Sequence, residues 1–197
     1  MACAEQNLIL GAQAGGAPIK AVANMFQASP YGLMAPAGSG LTGLDALSDR
    51  TIGVHVDGLK VMDLVKGANE LPGIEVVEIS YADKFERTLS GEMAAVQCYV
   101  IDEPIGVEAV HGAAPEVLKL SDHGLLSTAQ TIMAPDALLD GSPDLVDAFL
   151  AATFEGWARV LADKPAAAQL VVEDFVPEGS PYKDVAYQTR TLELLEP

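Results

Sequence analysis

Positive charge is what this sequence has least of. Its 197 residues hold 11 Lys and Arg against 28 Asp and Glu, a net charge of −17. A field of that sign repels phosphate backbones and anionic headgroups, which argues against nucleic acid or an anionic membrane surface as partner. Cysteine is equally scarce. Cys3 and Cys98 form neither a disulfide framework nor a C-x-x-C redox or zinc motif, and read as free thiols. The three histidines form no H-x-x-x-H pair, so no metal site and no metal cofactor are expected. No Ser-His-Asp or Cys-His arrangement stands out, and no catalytic residue is assigned. Gly38-Ser-Gly40 lacks the Gly-Lys-Ser/Thr ending of a phosphate-binding loop. No apolar run reaches the roughly 18 residues of a membrane-spanning helix, because Gly, Pro or charge interrupts each candidate. Met1 to Leu10 has no basic n-region and too short an apolar stretch for a signal peptide, so no export signal is expected in this chain.

What is present is a core. Half of the residues are hydrophobic and the mean hydropathy is +0.25, too apolar for disorder. A chain of this length buries roughly 70% of its extended surface on folding. Short strands alternate with helices, the pattern of an α/β protein with mainly parallel pairing. Strands are expected at 21–26, 31–35, 51–56, 74–79, 94–101 and 116–120, and Leu8-Ile-Leu10 reads as strand-like. Helices are expected at 41–47, 59–68, 83–89 and through Val110. Leu59, Met62, Leu64 and Val65 should form the apolar side of the second. The run 94–101 is almost wholly apolar, as in a central strand buried on both faces. Beyond it, Ser142-Pro143-Asp144 starts a long helix to Asp163, with Ser142 as N-cap and Pro143 in the first turn. Leu145, Phe149, Ala152, Phe154, Trp157, Val160 and Leu161 should line that helix, with Trp157 packed in a core, and two helices, 166–175 and 182–195, follow.

An ordered series of segments carries a resemblance. Ala4-Glu-Gln, Gly15-Gly-Ala-Pro18, Gln27-Ala-Ser-Pro30-Tyr-Gly, 43–55, Gly91-Glu-Met-Ala-Ala-Val-Gln, Asp102-Glu-Pro and Phe149-Leu-Ala-Ala-Thr-Phe-Glu-Gly-Trp157 occur in that order. The chain resembles the solute-binding proteins of ABC importers in the thiamine-pyrimidine family, which also holds the fungal pyrimidine synthases. The resemblance implies a type II periplasmic-binding-protein fold: two α/β lobes, a ligand cleft, and an ABC permease as partner. Residues 36–101 would form a complete lobe, and 1–35 with 102–197 a partial second one. Family members carry a signal peptide and an opening βαβ stretch before the point that Ala4-Glu-Gln matches, and more chain after Leu195. One lobe is therefore expected to be incomplete, and its open edge implies a homo-oligomer. The resemblance implies a periplasmic location for the family.

Candidate ligand contacts follow from the same mapping. Asp102 and Glu103 end the buried strand, where open α/β sheets place ligands. The resemblance gives Glu103 the role of accepting hydrogen bonds from an aminopyrimidine, and the alternative is a helix-capping acid. His55, Asp57 and Gly58 form a strand-to-helix turn whose N–H groups can hold a polar ligand atom. Phe26, Tyr31, Tyr81 and Tyr99 are suited to stack on a flat heteroaromatic ring. Tyr99 and Cys98 must face opposite sides of their strand. Gln27, Ser29 and Gln130 are candidate polar contacts. The expected function is binding a small planar nitrogen heterocycle, with flavin-like or aromatic sulfonate ligands also compatible. The alternatives are a pyrimidine-synthase-like enzyme, which would need the Cys-rich motif this chain lacks, and an oligomeric remnant without ligand.

Overall fold

A computed structural model describes residues 1–71, 73–81, 84–180 and 182–195, without the side chains of residues 84 and 85. The chain divides into two compact units, Met1–Asp136 and Ala137–Pro197.

The first unit holds two sheets. Its elements are β1 (Ala2–Ala4), α1 (Gln6–Ala14), β2 (Ile19–Phe26), β3 (Tyr31–Ala35), β4 (Thr51–Val54), α2 (Gly58–Asn69), β5 (Glu75–Glu78), α3 (Lys84–Leu89), β6 (Ala95–Tyr99), α4 (Glu103–His111), β7 (Glu116–Lys119) and β8 (Ala129–Pro135). A five-stranded sheet has the order β5-β4-β6-β3-β7, and a three-stranded sheet the order β1-β8-β2. Pairing is not mainly parallel. Only β4 runs parallel to its neighbours β5 and β6, while β3 is antiparallel to β6 and β7, and β8 to β1 and β2. The connections that allow antiparallel pairing here are long, and neither tight-turn nor crossover signals distinguish them in the sequence.

The five-stranded sheet is covered on both faces, so β3 is buried at every position. Its alternation sorts the core: Leu33 and Ala35 join Ile52, Val54, Met62 and Val65 on one face, while Met34 packs with Ile79, Val96, Cys98 and Val107 on the other. Burying each such side chain stabilises by about 1.5–3 kcal/mol. The expectation that Leu64 belongs to the buried side of α2 is corrected: it is 64% exposed, because Val61, Met62 and Val65 already fill that face.

Other differences are local. Leu8-Ile-Leu10 lies inside α1, where Ile9 alone is buried; helical rotation turns Leu8 and Leu10 outward. The expected helix 41–47 contracts to a 3-10 turn at Leu44–Leu47. Asp83 of the expected helix 83–89 lies outside the described residues.

The second unit is helical. It contains α6 (Pro143–Ala162), α7 (Lys164–Asp174) and α8 (Val185–Glu193), preceded by α5 (Asp136–Gly141) at the boundary. Ser142 is the N-cap residue of α6, but its side chain makes no capping bond. Capping is done by Asp163 and Asp184, whose carboxylates accept the N–H groups of Ala166 and Tyr187 at 3.1 and 2.9 Å. Leu145, Phe149, Phe154 and Leu161 do not line a core: they are exposed, and Val146 is the buried residue of α6.

Candidate functional site

At one end of the five-stranded sheet, the antiparallel register sets Tyr31 of β3 directly opposite Tyr99 of β6. Their rings meet edge to face with centroids 5.4 Å apart. The pleat sends Cys98 to the opposite face, among Met34, Val96 and Val107, as the alternation requires. Each tyrosine ends on an acid. The Tyr31 hydroxyl donates to Asp57 Oδ2, and the Tyr99 hydroxyl donates to Glu5 Oε1. Glu5 sits between β1 and α1 and is only 8% exposed.

Gln130 approaches from β8. Its Nε2 reaches the Tyr99 hydroxyl at 3.5 Å, and its Oε1 accepts the Cys3 thiol at 3.2 Å. Its φ of +51° is a left-handed conformation that side chains disfavour, at a cost of about 1–3 kcal/mol. Pairing of β8 with a strand on each side holds that residue in place.

Asp57 and His55 come from the turn between β4 and α2. The Asp57 carbonyl accepts Asn7 Nδ2 at 2.9 Å, and its Oδ1 is buried with no hydrogen-bond partner among the described residues. His55 is 2% exposed, its N–H donates to Gln97 Oε1 at 2.9 Å, and its ring lies 3.5 Å from that of Tyr81 at a tilt of 33°. Gly58 closes the turn, donating its N–H to the His55 carbonyl at 2.9 Å. A Cβ there would stand 2.0 Å from Gln97 Oε1, so glycine is what lets the buried glutamine approach.

The field inside this cluster is negative. Burial pushes the Glu5 carboxyl above its ordinary 4.5, against the lowering effect of the Tyr99 hydrogen bond, and the Asp57 charge adds to the rise. Burial also raises the Tyr31 and Tyr99 hydroxyls far above their ordinary range, followed by their acceptors Asp57 and Glu5. Tyr81 is raised by burial and then by Asp57, Glu103 and Glu5. Carboxylates dominate the charges that act on these tyrosines, and on Tyr31 the Tyr99 phenol adds a smaller rise. Such a site offers oxygen acceptors and aromatic surface, which suits a ligand edge of N–H donors or a cationic nitrogen.

The other expected contacts are arranged differently. Glu103 Oε2 accepts the Tyr99 N–H at 2.6 Å, linking the start of α4 to the end of β6. Asp102 precedes α4, its carbonyl accepting the Ile105 N–H at 3.0 Å. Ser29 is buried, its Oγ accepting the Tyr31 N–H at 3.3 Å. Gln27 is exposed and donates to the Asn24 carbonyl at 3.2 Å; Phe26 is half-buried at the end of β2. Glu108 and His111 stand at a Glu-x-x-His spacing on α4, yet among the described residues no group of three or more His, Cys, Asp or Glu could hold a metal ion.

Three residues of the cluster escape a reading of the sequence. Glu5 and Asn7 flank the start of a helix that looks like a strand, and their partners lie 94 and 50 residues away. Gln97 did carry a signal: it is a lone polar residue in an apolar run, which implies a buried partner.

Residues 1–168 match the family model described as NMT1/THI5 like. The chain belongs to the NMT1/THI5-like family. A curated relative, the riboflavin-binding protein RibY of Chloroflexus aurantiacus, is 25% identical over 195 residues, a match covering 94% of this chain and 53% of the relative. Among solved structures, the periplasmic aliphatic sulphonate binding protein SsuA of Escherichia coli superposes with a TM-score of 0.69 at 17% identity, covering 91% of this chain and 61% of that one. The zinc-bound ligand-binding component of an ABC-type import system from Staphylococcus aureus does so with a TM-score of 0.67 at 16% identity, covering 97% and 64%. The NMT1/THI5-like chain therefore has the type II periplasmic-binding-protein fold and spans about half to two thirds of the length of these relatives.

Proposed function

We propose that this chain is the solute-binding component of an ABC importer and takes a small planar nitrogen heterocycle with donor groups, such as an aminopyrimidine of the thiamine-precursor type. The observation that carries the reading is the pairing of Tyr31 with Asp57 and of Tyr99 with Glu5 in one cluster. Two carboxylates can accept ring-amine protons, and the half-buried Tyr99 and exposed Tyr81 rings supply flat apolar surface. Binding needs no nucleophile, so the reading is of a carrier and not an enzyme. It includes an ABC permease as partner, a periplasmic location, and Glu103 and Asp102 at the cleft. It also includes a two-lobed division, with 36–101 as one lobe and 1–35 with 102–197 as the other.

A second ligand class, flavins, is favoured by the name of the Chloroflexus relative, since an isoalloxazine is also flat and carries a ring N–H. Isothermal titration of an aminopyrimidine, riboflavin and an alkanesulfonate separates them. The reading expects heat with the aminopyrimidine and none with the sulfonate, and Glu103→Ala should weaken the former by about 1.5–3 kcal/mol. Sulfonate binding alone would overturn it.

A further inference from the structure

The turn that carries His55, Asp57 and Gly58 is held from two sides by neutral amides. From the five-stranded sheet comes Gln97 of β6, the strand between β4 and β3. The parallel ladder of β4 with β6 reaches Gly53 opposite Val96 and ends there. One residue beyond Val96, alternation turns Gln97 to the face that holds Ala95 and Leu33. Its Oε1 takes over from the ladder, accepting the His55 N–H at 2.9 Å. It lies under the first residue of α2, where a Cβ on Gly58 would stand 2.0 Å from it. From the other side, Asn7 Nδ2 of α1 donates to the Asp57 carbonyl at 2.9 Å.

Burial makes the glutamine contact exacting. Gln97 is 4% exposed and His55 2%, so an N–H released by the glutamine would find no water to take it. Methionine is about as long and would suit an apolar run better than a buried amide, unless an acceptor is needed at that point. The acceptor is needed for where it puts the turn. Two residues on from His55, the Asp57 carboxylate receives the Tyr31 hydroxyl, and the His55 ring lies 3.5 Å from that of Tyr81. Tyr31 belongs to β3 and Tyr81 follows β5, so a single acceptor registers the turn against two elements. A neutral holder also leaves the Asp57 charge for a ligand, where a lysine or arginine would pair with it.

We infer that Gln97 is a positioning residue of this site: its amide oxygen sets the turn after β4 so that Asp57 meets Tyr31 and the His55 ring meets Tyr81. Sites of this kind tolerate misplacement of only about 0.5 Å, so losing that oxygen costs affinity through Asp57 and His55. The part played in binding rests on the proposed function. The placing of the turn does not.

Two measurements on the whole chain test this. The first needs no ligand: a double-mutant cycle by urea unfolding with Gln97→Met and Tyr31→Phe. With the turn displaced, the stability lost on Tyr31→Phe should shrink to about half or less of the loss it causes in the wild-type background. A fully additive cycle would overturn the proposal. The second is isothermal titration with the free aminopyrimidine alcohol of the thiamine-precursor type. Gln97→Met should weaken binding at least about tenfold, the fold-change of one charge-assisted hydrogen bond, while Gln97→Glu, which keeps an acceptor oxygen, should stay within about threefold of wild type. A role confined to core stability would lower the unfolding midpoint and leave the affinity of the folded variants unchanged. That result, or a Gln97→Glu as weak as Gln97→Met, would also overturn the proposal. If Gln97→Met does not fold, Gly58→Ala, which drives the same oxygen off the His55 N–H, takes its place in both measurements. A wild-type chain that gives no heat with the pyrimidine would overturn the proposed function instead, and the cycle alone then decides the role of Gln97.

Discussion

Replacing Glu5 by Gln should uncouple stability from pH at this site while weakening the binding of an amine-bearing ligand. Glu5 is 8% exposed, and burial raises its carboxyl above the ordinary 4.5. In the folded chain it therefore holds its proton at pH values where the unfolded chain has released it. The sign follows from that difference. Stability from this group is fully present below the unfolded value, and falls as pH rises toward the folded value, by up to about 1.4 kcal/mol per pH unit. Above the folded value the loss is complete and the curve is flat. Gln is neutral throughout and its amide oxygen still accepts the Tyr99 hydroxyl, so in the variant this decline vanishes. At pH 7 the variant should be no less stable than wild type, and up to about 1 kcal/mol more so, since a buried charge has been removed.

Binding moves the other way. A charge-assisted hydrogen bond is worth about 1.5–3 kcal/mol against about 1 for a neutral one, so affinity for an aminopyrimidine should fall about 2- to 30-fold. Urea unfolding of both proteins from about pH 4 to pH 8 isolates the Glu5 contribution together with its coupling to Asp57, because the distant carboxylates cancel in the difference. A stability difference that does not change with pH would refute the account of Glu5. Equal affinities by titration calorimetry would remove Glu5 from the site.

Tyr31→Phe keeps the ring but strips Asp57 Oδ2 of its donor, while Oδ1 already has no partner among the described residues; thermal unfolding should show a loss of about 1–3 kcal/mol. A neutral result would mean that water satisfies Asp57. Gly58→Ala forces a Cβ to within 2.0 Å of Gln97 Oε1, which must move and release the His55 N–H, so a destabilisation of about 1–3 kcal/mol is expected by chemical denaturation. Full stability with an unchanged near-ultraviolet spectrum would show that the turn yields without cost.

Hydrophobic period and punctuation made the five-stranded sheet legible. The strands at 31–35, 51–54, 75–78, 95–99 and 116–119 all fall within the expected segments, because each is an apolar run bounded by Gly, Pro or charge. Missing from that reading is β8, whose Ala129-Gln-Thr-Ile-Met-Ala-Pro mixes polar and small residues and is a strand because β1 and β2 pair with both its edges. Its absence hid the three-stranded sheet, and with it the antiparallel character of the fold. Of the cluster, Tyr31 and Tyr99 stood out near expected strand ends and Asp57 in a strand-to-helix turn, whereas Gln130 was only a polar candidate with no strand assigned to it. Glu5 did not stand out, because a buried acid is marked only by the partner that buries with it. The exposed apolar stripe of α6 shows the converse limit: an amphipathic pattern tells which face is apolar, and the packing decides whether anything covers it.

Charge on the whole molecule does not explain the chemistry of the cluster. Acids on the surface are screened over about 8 Å at physiological salt, so most of the −17 is invisible from the site. Glu5 is different: it is buried, and the Asp57 charge acts on it and on all three tyrosines. Under the proposed function, the two carboxylates of this buried cluster, and not the screened surface acids, would set the sign of the ligand's interacting edge. The Escherichia coli sulphonate-binding structure shares this fold at 17% identity, a level at which the backbone persists and the lining side chains are free to change. On that reading, selectivity turns on a local question, the charge of Glu5 when the ligand arrives. Because burial raises the Glu5 carboxyl, the proposed capture of an amine edge should be favoured above its folded-state value and lost as protonation removes the charge, which titration calorimetry across that range would check.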